Sequence, residues 1–80
     1  MKMLGEFIKT FENKLPENVY EEIQSYFNHD EWGLALEELC NFLFEYEIKI
    51  SDSEYEKIIQ LSQRMKIDSS SFEFLKKLIG

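Results

Sequence analysis

One histidine, His29, and one cysteine, Cys40, are the side chains of this chain best suited to metal or covalent chemistry. With one of each, no His pair and no Cys/His cluster of zinc-ligand spacing can be assembled, and no histidine-bearing triad is expected. His29 falls at a predicted helix end and reads as a capping or exposed residue. Cys40 has no second thiol for a disulfide and lies inside a helical apolar pattern, where a thiol packs as a small hydrophobe. The carboxylate pairs Glu21-Glu22 and Glu37-Glu38 could serve as acid and base only in a cleft that separates their pKa values. Neighbours on a helix diverge by about 100° and rarely share one. No D-x-D-x-D-G calcium loop occurs. The three glycines, Gly5, Gly33 and Gly80, are too scattered for a phosphate-cradling loop. Neither enzyme activity nor a metal or cofactor is expected.

Charge is the more informative feature. The net charge is −7, and it is concentrated: residues 15 to 56 hold twelve carboxylates against Lys49 alone, whereas residues 1 to 14 and 57 to 80 are net basic. Such a block repels nucleic acid and anionic membranes and attracts a basic partner from beyond contact range. The plainer alternative is an acidic face kept for solubility. Because no run of about 18 apolar residues occurs and charges interrupt MKMLGEFIKTFENK, neither a membrane span nor a signal-peptide core is expected. The expectation is a soluble, cytoplasmic protein.

Several helices must position these carboxylates. Eighty residues form one domain, residues 1 to 80, which hides only about 60% of the surface its unfolded chain exposes. Leu4, Phe7, Ile8 and Phe11 follow helical spacing and predict a first helix, closed by Leu15-Pro16. Pro16 suits the first turn of a second helix, with Val19, Tyr20, Ile23, Tyr26 and Phe27 inward, Glu17, Glu21, Glu22 and Ser25 outward, and an end near Asn28-His29. Asp30 is expected to cap the third helix, with Glu31 adding to the same dipole effect. In that helix Trp32, Leu36, Leu39 and Leu43 form one apolar stripe, and Ala35, Phe42 and Tyr46 its neighbour. A helix so widely apolar is expected at the centre of the fold, leaving Glu37, Glu38, Asn41 and Glu45 for solvent. Gly33, unfavourable in a helix by about 1 kcal/mol, is read as a packing residue that lets another helix or Trp32 lie close.

Ile48-Lys49-Ile50 alternates as a short extended connector. Ser51 and Glu54 then form a capping box, with Ile50 and Tyr55 at staple spacing. Tyr55, Ile58, Ile59, Ser62 and Met65 set the inner face of a fourth helix, and Asp68 or a following serine starts a short fifth with Phe72, Leu75, Leu78 and Ile79. The expected fold is all-α, a small bundle of about five helices.

The residues Leu15-Pro16, Tyr20, the block EWGLALE from Glu31 to Glu37, Leu39-Cys40, Leu43, Ile48, Ile50, Tyr55, Ile58, Leu61 and Met65 resemble the MafI-type immunity proteins of bacterial polymorphic toxin and contact-dependent inhibition systems. The resemblance covers about residues 15 to 66. The block EWGLALE followed by Leu39-Cys40 is its most specific part, and Asp30 stands where the family pattern has a glycine. The resemblance implies a small cytoplasmic protein that binds and neutralises a cognate toxin domain, EndoU-type ribonucleases being among the toxins paired with this family; a monomer in a 1:1 complex is expected, with the oligomeric state left open by the sequence. The expected contact surface comprises Asp30, Glu31, Glu37, Glu38, Asn41, Glu45 and Glu47, whose carboxylates can occupy the places of RNA phosphates in a cationic cleft. The alternative is a helical adaptor or regulator whose acidic face meets a basic protein unrelated to toxins.

Overall fold

The computed structural model describes residues 1 to 80. It contains four α-helices, α1 (Lys2–Lys9), α2 (Glu17–Asn28), α3 (Trp32–Glu45) and α4 (Asp52–Arg64), followed by a 3₁₀ helix, Ser69–Leu78. The all-α expectation holds: the one strand-like feature is a parallel bridge between Ile50 and Ile79. There Ile50 donates its amide to Leu78 and accepts from Gly80, at 3.0 and 3.3 Å, so the predicted extended connector pins the C-terminus. No helix is long and apolar enough to cross a membrane.

The core is one cluster of 18 buried apolar residues. It takes Leu4, Phe7 and Ile8 from α1, Val19 and Ile23 from α2, and Ala35, Leu36, Leu39, Cys40 and Leu43 from α3. Helix α3 packs on α1, α2, α4 and the 3₁₀ helix, which makes it the central element its composition implied. In α4, Ile58, Leu61 and Ser62 are buried, whereas Tyr55, Ile59 and the C-cap residue Met65 are only half-buried. Leu61 therefore belongs to the inner face in their place. The Ser62 hydroxyl donates to the Ile59 carbonyl at 2.6 Å, so this buried oxygen stays satisfied.

The predicted capping box at the start of α4 is present: Glu54 donates its amide to Ser51 Oγ at 3.0 Å, and Ser51 donates its amide to Glu54 Oε1 at 2.8 Å. Asp68 accepts from the Ser70 amide at 3.0 Å, a bond that holds its carboxyl below the usual range. The last helix departs from the expected α geometry by being 3₁₀ along its whole length. Its buried residues Phe72, Leu75 and Leu78 recur every three positions, and three residues per turn stack them in line. Pro16 lies one residue outside α2, its carbonyl accepting from Val19 and Tyr20.

Three helices end by the same device. After α2, α3 and α4, the residues Asp30, Glu47 and Lys66 have φ of 61°, 51° and 59°. The amides that follow return to carbonyls in the last turn: Glu31 to Tyr26 at 2.9 Å, Ile48 to Leu43 at 2.9 Å and Ile67 to Ser62 at 2.8 Å. These are Schellman closures, usually made by glycine. This corrects the reading of Asp30 as the cap of α3. Its left-handed backbone belongs to the end of α2, Glu31 occupies the N-cap position, and no side chain caps α3. A left-handed non-glycine residue costs about 1–2 kcal/mol, part of which glycine returns through its larger unfolded-state entropy. Lys66→Gly and Glu47→Gly are each expected to raise unfolding free energy by about 0.5–1 kcal/mol, measured by urea denaturation.

The packing role expected of Gly33 belongs to Gly5. A Cβ on Gly33 would lie 3.5 Å from Ile67 Cδ1, an ordinary contact, whereas one on Gly5 would lie 2.8 Å from Phe27 Cζ. Gly5, not Gly33, lets another helix come close. Gly33→Ala should therefore stabilise by up to about 1 kcal/mol, and Gly5→Leu should destabilise by about 1–3 kcal/mol through displacement of the Phe27 ring. Thermal melts of the two variants would check both signs.

Candidate functional site

The carboxylates are arranged along the outer side of α3. At 100° per residue, Leu34, Glu37, Glu38, Asn41, Phe44 and Glu45 fall within one arc of about 120°, opposite the buried Leu36, Leu39 and Leu43. Glu37, Asn41 and Glu45 are exposed and Glu38 is half-buried. Asp30 and Glu31 are exposed at the start of the helix, and Glu47 is exposed just beyond its end. With 14 residues in α3 and 1.5 Å per residue, the face is about 20 Å long.

This face is not purely polar, and here the sequence reading missed two residues. Leu34 is 37% exposed and Phe44 42%. The whole particle measures 30 × 28 × 17 Å, less than two full helix diameters in its thinnest direction, so even the central helix keeps an open side. Two residues assigned to the core stripes also come out further than expected. Trp32 is half-buried: it is the first residue of α3, and side chains lean toward a helix's N-terminus, so its ring overhangs the end. Tyr46 is 47% exposed because it is the C-cap residue, where helical direction is already lost; its ring stacks on that of half-buried Phe42, 6.1 Å between centroids.

Carboxylates from two helices converge at one edge of this face. The Tyr26 phenol titrates above its ordinary value, first because of the Glu22 carboxylate, then through desolvation, then because of Glu38 and Glu31. Glu22 of α2 and Glu38 and Glu31 at α3 thus act on the same phenol. At the opposite end, Phe44, Glu45, Glu47, Lys77 and Leu78 line a shallow concavity. The Phe44 ring meets Phe74 edge-on, with centroids 5.2 Å apart.

No carboxylate of this surface is in a salt bridge, although Lys77 lines the concavity with Glu45 and Glu47. The one ion pair of the molecule joins Lys76 and Glu73 at 4.0 Å, so none of the twelve acids between residues 15 and 56 is paired with a cation. Glu45 and Glu47 also sit at the negative end of the α3 dipole, which has no basic residue in its last turn. Each such placement opposes stability by about 0.3–1 kcal/mol.

Cys40 and His29 both have structural places. Cys40 is fully buried, and burial, with a smaller contribution from Glu37, pushes its thiol up. That combination favours an inert thiol. His29 is exposed and donates from Nδ1 to the Ser25 carbonyl at 2.7 Å, closing the last turn of α2 as its helix-end position suggested. What the face offers is a row of carboxylates with two apolar contacts among them. The chain matches no protein-family model, and neither a curated protein nor a solved structure is significantly similar to it.

Proposed function

We propose that this protein is an immunity-type inhibitor that binds a basic toxin domain, an EndoU-like ribonuclease being the leading class, and neutralises it in the cytoplasm of the producing cell. The observation that carries the reading is the unpaired acidic surface on α2 and α3, enclosing exposed Leu34 and Phe44. A ribonuclease cleft must be cationic to hold phosphates. A rigid helix presenting Glu37, Glu38, Asn41 and Glu45, with Asp30, Glu31 and Glu47 at its ends, can steer toward that cleft and exclude RNA once docked. The resemblance of EWGLALE and its flanking apolar positions to MafI-type immunity proteins supports the same reading, while Asp30 departs from that pattern.

The test is co-expression with a candidate basic toxin domain, an EndoU-like ribonuclease first. Protection from that toxin alone, together with a 1:1 complex on co-purification, is the expected result. Protection without a complex would overturn the inhibitor reading. Capture of a basic protein unrelated to any toxin would favour an adaptor instead.

A further inference from the structure

Leu34, Glu37, Asn41 and Phe44 follow one another at i, i+3, i+7 and i+10. This is the spacing along which a second helix packs against a first. On the inner side of α3 that spacing is used by neighbouring elements; on the outer side nothing covers it, and Leu34 and Phe44 stay 37% and 42% exposed. The two anchors stand ten residues apart, about 15 Å along the axis. Phe44 is already held by its edge contact with Phe74, so less side-chain freedom is lost when it is covered.

We infer that this stripe is the seat of a cationic amphipathic helix of the partner protein, whose apolar residues cover Leu34 and Phe44 while its lysines or arginines meet Glu37, Glu38 and Glu45. The inference rests on the proposed inhibitor reading for the identity of the partner, and it names the element of that partner which α3 contacts. Charge decides the occupant. A second copy docked by two-fold symmetry would bring the same carboxylates against themselves, and an anionic membrane surface would be repelled. A cationic helix meets three carboxylates, none of them in a salt bridge, with Lys77 the one cation lining the concavity at the Phe44 end, and its apolar side finds anchors at matching spacing.

The probe is a synthetic helical peptide with leucines at i, i+3, i+7 and i+10 and lysines on the flanking positions, compared with a scrambled peptide of equal charge. Fluorescence anisotropy is followed for the parent and for a Leu34→Ser, Phe44→Ser double variant. The amphipathic peptide should bind the parent 1:1 at least tenfold more tightly than the scrambled one, with amide shift changes centred on Leu34 to Glu45 in NMR. The double variant should stay folded, with a melting temperature a few degrees lower for loss of the Phe44–Phe74 contact, and lose that preference. Equal binding of both peptides, shift changes elsewhere, or self-association of the parent through this face would overturn the inference. Because the peptide assay contains no toxin, its failure is distinct from a failure of the inhibitor reading, which the co-expression experiment reports.

Discussion

Leu39→Ala is expected to lower the unfolding free energy by about 2–5 kcal/mol, the range for emptying a leucine site in a packed core. Leu39 is fully buried on the inner side of a helix that touches every other helix, so little can collapse into the space left behind. A domain of this size has total stability toward the lower end of about 5–15 kcal/mol, and the variant should be partly unfolded at 37 °C. Urea denaturation followed by Trp32 fluorescence would show a lower midpoint at unchanged slope. A loss below about 1 kcal/mol would mean that α3 is not the centre of the core.

Reversing Glu37, Glu38 and Glu45 together to lysine is expected to act in the opposite way. The three changes of two charges each take the net charge from −7 to −1. None of the three carboxylates makes a salt bridge, and Glu45→Lys replaces an anion at the negative end of the helix dipole with a cation, which that end favours. Helicity and melting should therefore stay close to the parent's. Binding should not. Lysines against a basic cleft replace attraction by repulsion, and protection of cells in co-expression should be abolished. A variant that loses both folding and binding would place these residues in the structure, not on the contact surface.

Much of this was legible in the residues because helical periodicity is a strong signal: Leu4, Phe7, Ile8 and Phe11, and the Ser51-Glu54 capping box, marked their elements directly. The left-handed helix ends were not. Glycine is the usual marker of such a closure, and here Asp30, Glu47 and Lys66 adopt it; an aspartate before a helix reads instead as its cap. The 3₁₀ geometry was hidden because Phe72, Leu75, Leu78 and Ile79 also fit an α-helical stripe. For the candidate site, the carboxylates were visible as a charge block, but Leu34 and Phe44 were not. A helix apolar over most of its circumference does not reveal which of its sides lacks a neighbour, and that depends on the thin arrangement of the other elements. The union of Glu22 with Glu31 and Glu38 around Tyr26 likewise needs the packing of α2 on α3.

Capture of a basic partner by the acidic face of α3, as proposed, is tested most directly by the association rate, at low and high salt, with a toxin domain against which co-expression protects. For the parent, association should be fast at low ionic strength and fall steeply as salt shortens the screening length toward about 8 Å. The Glu37→Lys, Glu38→Lys, Glu45→Lys variant should associate slowly at both salt concentrations, with most of the salt dependence gone. A triple variant that associates as fast as the parent, with the same dependence on salt, would contradict the account and remove α3 from the contact.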